Sequence, residues 1–226
     1  IEEKYNLVLQ EEADLKIHLI KIGDLWEVGI QITPRPLSVR DYRVVNMSGA
    51  MDPTIAYAVN SFCNLENASS YLNIFSGSGT LLIEAGQLYK NIKKIIGFDN
   101  DKKHLSLSIQ NIKKAGLIDK VQIKEADIFD NPDFGKFDVI VSDLPFGMVI
   151  SKDEDLGNLY KNFIKYCEDK LNPSGKLVIY TSEYEIIENI LSGSKFNIIQ
   201  SLQLKFITSV NAYLRPKIII CEFKTI

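Results

Sequence analysis

The stretch FDVIVSDLPFG, residues 137–147, is a continuous apolar run that ends in a carboxylate, a proline and an aromatic ring. A strand buried on both faces of a parallel sheet has this composition, and open α/β sheets bind ligands at the carboxyl ends of such strands. We therefore expect Asp143 to lie at a ligand-binding edge. Pro145 has no N–H and holds Leu144 extended, so the Leu144 carbonyl and the Asp143 carboxylate can accept hydrogen bonds beside the ring of Phe146. Two acceptors and a stacking face suit an aromatic amine.

Strands and helices alternate from Tyr71 onward, which is the pattern of a doubly wound, mostly parallel α/β sheet. The five predicted parallel strands are YLNIF, KKIIGF, VQIKEA, FDVIVSD and KLVIYT. The end of the chain differs, because KFNIIQSLQLKF and KIIICEF are separated by a short polar stretch without a helical pattern. These two segments predict an antiparallel pair, which gives a seven-stranded sheet with an antiparallel last strand.

The N-terminal part has a different pattern. LKIHLI and WEVGIQI predict two strands around a turn at Gly23, followed by the proline-punctuated TPRPLSVRDYR. We interpret residues 1–45 as a strand-rich extension or linker, since they hold too little apolar material for a core of their own. Residues 46–226 are then the α/β domain, and its first helix is predicted to begin near Asp52-Pro53.

Composition narrows the class of protein. The chain has 226 residues, 46% of them hydrophobic, and a net charge of −3. That charge neither favours nor excludes a nucleic acid as partner. Three widely spaced cysteines fit reduced thiols better than disulfides or a zinc site. No apolar segment has membrane-spanning length, so a cytoplasmic protein with no membrane partner is expected. The sequence lacks an initiator Met, which suggests an excerpt from a longer protein.

A glycine loop, FSGSGTLLIEA at residues 75–85, follows the first parallel strand and opens a helix. Gly77 and Gly79 permit positive φ angles and a close backbone approach, so this loop can wrap a cofactor at the helix N-terminus. The dinucleotide fingerprint requires a third glycine where this chain has Leu82, which counts against a NAD enzyme.

Two further strand ends carry acids. Asp99, in GFDND, is a candidate for binding both hydroxyls of a ribose, whereas Asp101 is read as a helix cap and His104 as part of a solvated helix face. Asp127, in EADIFD, can accept a hydrogen bond from an adenine amino group with Ile128 lining the base, or can be a plain turn residue. Four predicted loops with Gly or Asp at one edge of a sheet indicate a cofactor site.

Together these residues resemble the S-adenosylmethionine-dependent N-methyltransferases, which have a Rossmann-like fold, and within them the RNA guanine methyltransferases that commonly carry an N-terminal THUMP domain. The resemblance runs through VRDYRV, MDPTIAYAV, NIFSGSGTLLIEA, GFDNDKKHLSLSIQNIKKAG, EADIFD, SDLPFG and LNPSGKLVIYTSE. It implies S-adenosyl-L-methionine as cofactor and RNA, above all tRNA, as substrate. It also implies a THUMP-type RNA-binding domain upstream of this chain, and the exocyclic amino group of a guanine as methyl acceptor.

The same resemblance assigns roles. The glycine loop would hold the methionine part of the cofactor, Asp99 the ribose and Asp127 the adenine. The catalytic candidates are Asp143, Leu144, Pro145 and Phe146. The cofactor-binding candidates are Asn73, Phe75, Ser76, Gly77, Gly79, Thr80, Asp99, Asn100, Asp127, Ile128 and Asp143. The substrate-binding candidates are Phe146, Gly147, Arg40 and Arg43, and no metal ligand is expected.

Two positions depart from the family pattern. Leu144 replaces the first proline of (Asp/Asn)-Pro-Pro-(Tyr/Phe), a change that leaves the needed backbone carbonyl in place. Asn73 stands where the family usually has Asp, so we expect a weaker hold on the ammonium group of the cofactor unless Glu84 or a nearby carbonyl compensates. From the sequence, contact with RNA phosphates and a place in a solvated loop are equally plausible roles for Arg40 and Arg43.

Three other functions remain open at the level of sequence. The Asp-x-Pro-Phe pocket also suits an N-methyltransferase that acts on DNA adenine or on a protein glutamine. A non-catalytic, cofactor-binding subunit associated with RNA is the second alternative. A NAD oxidoreductase is the third, and the missing glycine disfavours it.

Overall fold

The computed structural model describes residues 4, 8, 13–146, 156–209 and 212–225. The chain divides into two compact units, residues 1–39 and 40–226. The first unit contains β1 (Lys16–Ile22) and β2 (Leu25–Gln31), which pair antiparallel and turn at Gly23, where φ is +62°. The predicted hairpin is thus confirmed, while the predicted boundary after residue 45 stays a prediction.

The second unit is built on a seven-stranded sheet. Its strands are β3 (Ser70–Ile74), β4 (Lys94–Asp99), β5 (Val121–Glu125), β6 (Phe137–Asp143), β7 (Leu171–Thr181), β8 (Phe196–Gln203) and β11 (Lys217–Phe223). They lie in the order β5-β4-β3-β6-β7-β11-β8. The first five run parallel, and β11 is antiparallel to both of its neighbours. A separate small hairpin consists of β9 (Phe206–Ser209) and β10 (Ala212–Leu214). The predicted fold class is confirmed.

Helices cover both faces of this sheet. They are α1 (Pro53–Ser61), α2 (Thr80–Leu88), α3 (Lys102–Lys114), α4 (Leu156–Lys170) and α5 (Tyr184–Ser192). Val139 and Val141 of β6 belong to the core under α1, α2 and α3, whereas Ile140 belongs to the core under α4 and α5. Both faces of β6 are therefore buried, which explains its continuous apolar sequence. In the described part of the chain, no helix has the length and apolarity needed to cross a membrane.

Local sequence sets the starts of two helices as expected. Asp52 caps α1 by accepting a hydrogen bond from the Thr54 N–H at 2.8 Å, and Pro53 occupies the first turn. Asp101 caps α3 by accepting from the Lys103 N–H at 2.7 Å, which confirms its predicted capping role.

The start of β7 differs from the prediction. The strand begins at Leu171 rather than at Lys176, because a register shift opposite β6 accommodates the Asn-Pro-Ser-Gly stretch between these residues. A Cβ at Gly175 would lie 2.8 Å from the Asp138 carbonyl oxygen, so only glycine lets the two strands approach there. The sequence signals a turn at this stretch, and pairing with β6 overrides it.

Candidate active site

The carboxyl ends of four adjacent strands bring the predicted site residues together. Asp127, Asp99, the glycine loop and Asp143 follow β5, β4, β3 and β6, and these strands are neighbours in that order. The connections from β3 and from β5 lead to opposite sides of β3, which makes this edge the topological switch point where open α/β sheets bind ligands. Three strand spacings of about 5 Å separate β5 from β6, so the row of site residues along this edge extends over about 15 Å. An elongated ligand fits such a row.

The glycine loop after β3 is held in a tight, left-handed conformation. Phe75, Gly77 and Gly79 have φ angles of +56°, +49° and +76°. The Ser76 N–H and hydroxyl donate to the Phe98 carbonyl at 3.0 and 3.1 Å, and the Gly79 N–H donates to the Ser76 carbonyl at 2.8 Å. A positive φ at a residue with a Cβ costs about 1–2 kcal/mol. Backbone strain of this kind concentrates at functional sites.

Gly97 of β4 lies directly against this loop, and it was not singled out from the sequence. A Cβ built at this position would clash with the Leu82 side chain and with the Ser76 hydroxyl. Only glycine lets β4 lie directly under the loop. A glycine inside an otherwise apolar strand was the available signal, since it marks a close backbone approach.

Asp99 is tied to the glycine loop. Its carboxylate is buried and accepts hydrogen bonds from the Gly77 N–H at 2.9 Å and from the Asp101 N–H at 3.0 Å. Each carboxylate oxygen has a second lone pair, so these bonds leave capacity for ligand hydroxyls. His104 is not simply a solvated residue, because its ring nitrogens lie 3.6 Å from Asp99 Oδ1 and 3.7 Å from Asp101 Oδ2.

Asp127 has a structural role in its own loop. It accepts hydrogen bonds from the Phe129 N–H and from the Asn100 side-chain amide, both at 2.9 Å. The first of these bonds caps a short 3-10 turn at Ile128–Asp130, in which Ile128 is buried. A carboxylate has four acceptor positions, so Asp127 can hold its turn and still accept a hydrogen bond from a base. The cap is observed, and the adenine contact of Asp127 stays a prediction.

Asp143, at the end of β6, is half-buried, and one of its two carboxylate oxygens is left without a hydrogen bond from any residue that the structure describes. Its Oδ1 atom is inaccessible and has no hydrogen-bond partner among the described residues. Burial raises the pKa of this carboxyl from 3.8 to about 7. A buried acceptor left unpaired is costly, and such groups cluster at functional sites.

Asp138, five residues earlier on the same strand, shows the opposite arrangement. Its carboxylate accepts hydrogen bonds from the backbone and hydroxyls of Ser69 and Ser70 and from the Asn172 amide, at 2.8–3.0 Å. Burial alone would raise the pKa of Asp138, but these hydrogen bonds outweigh burial and lower it. The fold thus satisfies one acid of β6 and leaves the other unsatisfied.

The segment after Asp143 is anchored by its backbone. The Leu144 N–H donates to the Tyr180 carbonyl at 2.9 Å, and the Tyr160 hydroxyl donates to the Pro145 carbonyl at 2.8 Å. Sequence reasoning did not single out Tyr160, since its contact with Pro145 depends on how α4 packs. The Phe146 ring is half-buried, with its centroid 6.3 Å from that of Tyr180. Gly147 lies outside the described residues.

Asn73 lies on the same face of the sheet as Asp143, because it pairs in register with Val141. Its side-chain amide donates to the carbonyls of Ile74 and Val141, both at 3.2 Å. The buried Asn73 Oδ1 has no hydrogen-bond partner in the described part of the chain. Thr80 is also buried, with its hydroxyl 2.8 Å from that of Ser78.

A small cavity joins these elements. It is lined by the glycine loop with the start of α2, by Asp143, and by four residues of the segment 47–51, namely Met47, Gly49, Ala50 and Met51. This segment was not predicted as part of the site. The Met47 side chain would be 3.2 Å from a Cβ at Gly77, so the segment packs directly over the loop. Within the described residues, no group of His, Cys, Asp or Glu side chains is arranged to hold a metal ion.

Of the two predicted arginines, Arg40 is engaged by an acid of α2. Arg40 makes a two-pronged ion pair with Glu84, at 2.9 and 3.3 Å, and the Tyr42 hydroxyl donates to the same carboxylate at 2.7 Å. These bonds favour a structural role for Arg40, and they occupy the carboxylate of Glu84 that was considered as a substitute for the charge missing at Asn73. Arg43 is half-buried. The RNA contacts of both arginines stay predictions.

Several known proteins resemble this chain in sequence. A family model described as "UPF0020: RMKL-like, methyltransferase domain" matches residues 40–209. The tRNA (guanine(6)-N2)-methyltransferase of Methanocaldococcus jannaschii is 24% identical over 234 residues, covering 87% of this chain and 61% of that protein. The U6 snRNA (guanine-N(2))-methyltransferase THUMPD2 of Mus musculus is 31% identical over 178 residues, covering 76% of this chain and 32% of that protein.

Among solved structures, TrmN from Thermus thermophilus superposes with a TM-score of 0.77 at 23% identity, covering 99% of this chain and 64% of that one. The chain therefore spans less than two thirds of the length of each of these three proteins.

Proposed function

The chain belongs to the UPF0020 family of RMKL-like methyltransferase domains, and from this premise we propose that it methylates the exocyclic amino group of a guanine in RNA, with S-adenosyl-L-methionine as the methyl donor. The names of these two related enzymes differ in the RNA, tRNA in one and U6 snRNA in the other, but agree on the N2 position of guanine. We propose tRNA as the first substrate to test, and a THUMP-type domain of the full-length protein as the part that selects it.

The observation that carries this proposal is the buried, unpartnered carboxylate oxygen of Asp143 at the end of β6. Asp143 lines the small cavity, so an amino group bound in that cavity would lie beside this carboxylate. The strength of such a bond is highest for an ionised acceptor, because a charged partner roughly doubles it. The Leu144 carbonyl is the proposed second acceptor, and Phe146 the proposed stacking face for the base.

The described residues fit the proposed cofactor. Asn73 presents a buried oxygen without a partner among the described residues, and this oxygen suits a ligand that carries positive charge. Gly77 and Gly79 keep the loop backbone open to a close approach. We assign the ribose to Asp99 and the adenine to Asp127 and Ile128. When bound, S-adenosyl-L-methionine supplies an electrophilic methyl group on its sulfonium.

The residues of the chain then act mainly by positioning. Asp143 and the Leu144 carbonyl fix the amine so that its lone pair points at the cofactor, and positioning of this kind supplies a large share of catalysis. Asp143 is also the proposed acceptor for the proton that the amine releases, and a pKa of about 7 suits that role near neutral pH. The base must be unpaired or flipped out to reach the site.

The test uses the full-length protein that contains this chain. It is incubated with labelled S-adenosyl-L-methionine and separate pools of unmodified tRNA, U6 snRNA, rRNA and DNA, and the labelled nucleotide is mapped. We expect N2-methylguanosine in one RNA pool, and Asp143→Ala should abolish transfer while still binding the cofactor. Label in DNA alone, or full activity of Asp143→Ala, would overturn the proposal.

A further inference from the structure

The small hairpin of β9 and β10 leaves the sheet at the same edge as Asp143. Asp143 pairs in register with Tyr180 of β7, and the next β7 residue, Thr181, pairs with Lys217 at the start of β11. Lys217 also pairs with Gln203 at the end of β8. Lys217 therefore lies about 10 Å from the strand end at Asp143, at two strand spacings, and Gln203 about 15 Å away, at three.

This hairpin carries an exposed aromatic ring with two cations close to it. Tyr213 is 46% exposed, and the Lys205 ammonium lies 4.1 Å from its ring centroid. The Arg215 guanidinium carbon lies 6.0 Å from the same centroid. Phe206 pairs with Leu214, so Lys205 and Arg215 directly flank the paired strands. We name Lys205, Tyr213 and Arg215 the hairpin patch.

A neighbouring contact holds the base of the hairpin in place. The Lys217 ammonium pairs with Glu188 at 2.8 Å and lies 4.1 Å from the ring centroid of Tyr184. Lys217 thus fixes the start of β11 against α5 and is largely neutralised by its partner. The positive charge that the patch presents to solvent comes from Lys205 and Arg215, both exposed, in a chain whose net charge is −3.

We infer that the hairpin patch binds the RNA strand next to the methylated guanine, with Tyr213 stacking on a base and Lys205 and Arg215 contacting phosphates. Proteins that hold single-stranded nucleic acid combine stacking aromatics with cations along the backbone in this way. The placement beside Asp143 gives a flipped base and its flanking nucleotides contacts on one surface. This inference rests on the proposed function, because it concerns the substrate of the same site.

The experiment compares variants of the full-length protein in binding to a fluorescein-labelled, unmodified tRNA transcript at several salt concentrations. Tyr213→Ala should raise the Kd about 5-fold to 150-fold, the range expected for one stacked base, whereas Tyr213→Phe should bind like wild type. Lys205→Ala/Arg215→Ala should lower the salt slope of log K by about 1.4–1.8, the value for two phosphate contacts. Cofactor affinity should stay unchanged in all variants.

Lys113→Ala/Lys114→Ala is the matched control, since it removes two exposed cations from the last turn of α3, near the opposite edge of the sheet. This control should bind the transcript like wild type. If the wild type binds and methylates RNA while the patch variants keep its Kd and salt slope, the inference alone is overturned. If the wild type binds cofactor but neither binds nor methylates RNA, both the inference and the proposed function fail.

Discussion

Replacing Asp143 by asparagine measures the free-energy cost of an ionised carboxyl group at this position in the folded protein. Burial raises the pKa of this carboxyl from 3.8 to about 7. At about 1.4 kcal/mol per pKa unit, keeping Asp143 ionised in the folded protein costs on the order of 4 kcal/mol. Asparagine has a similar shape and no charge, so Asp143→Asn removes this cost at every pH at which the wild-type carboxyl is ionised.

The sign of the pH dependence follows from proton binding. Between about pH 4 and about pH 7 the folded protein binds a proton at Asp143 more tightly than the unfolded chain does, so stability from this group falls as the pH rises. Relative to wild type, the free energy of unfolding of Asp143→Asn should therefore increase by roughly 2–3 kcal/mol between about pH 5 and about pH 8.5. Urea unfolding followed by circular dichroism at both pH values measures this change.

Asp138→Asn is the matched control on the same strand. The pKa of Asp138 is lowered in the folded protein, so its contribution is fully present above the unfolded pKa and is lost only as the pH falls through the lower, folded value. We expect Asp138→Asn to be destabilised by the same amount at both pH values. A stability difference for Asp143→Asn that does not change with pH, or that changes in the opposite direction, would refute the reasoning.

Three further substitutions probe the surroundings of the site. Tyr160→Phe removes the hydrogen bond to the Pro145 carbonyl and should cost about 1 kcal/mol in urea unfolding; a kcat lowered at unchanged cofactor KM would show that the bond positions the loop, and an unchanged kcat would leave it only structural. Gly97→Ala introduces a Cβ against Leu82, so it should lower the free energy of unfolding by about 1–3 kcal/mol and weaken cofactor binding measured by calorimetry. Gly193→Ala is the control, since the nearest atom to its Cβ lies at 3.8 Å, and it should change neither quantity. Asn73→Asp places a carboxylate oxygen against two carbonyls and should lower the unfolding temperature; a cofactor titration that shows no gain in affinity would contradict the idea that Asn73 weakens binding.

Local patterns were sufficient to predict most of the α/β unit. The continuous apolar run of β6 and the alternation of strands with helices led to the parallel sheet, and the caps at Asp52 and Asp101 were read correctly. The two segments at the end of the chain were correctly taken as antiparallel strands. Their insertion order, with β11 between β7 and β8, needed the structure. The early start of β7 was missed because its pairing with β6 overrides the turn signal at Gly175.

The candidate site was predicted in part. Sequence order alone placed Asp99, Asp127 and Asp143 at strand ends, and the structure brings these ends to one edge. Gly97, Tyr160 and the lining from residues 47–51 were missed, because their importance lies in contacts with distant parts of the chain. The two acids of β6 differ in that Asp138 is fully hydrogen-bonded and Asp143 has an oxygen without a partner among the described residues. No feature of the sequence signals this difference.

The sequence by itself determined the types of groups at the sheet edge, since strand periodicity and loop composition are local properties that need only a few neighbouring residues. Tertiary structure decided which of these groups are satisfied. Three contacts join residues that are far apart in the chain or meet only through strand pairing. They are the ion pair of Arg40 with Glu84, the hydrogen bond from Tyr160 to Pro145, and the contacts of Lys205 and Arg215 with the exposed Tyr213 ring. Burial and hydrogen bonding set the energy of a polar group, and both depend on what packs against it in three dimensions.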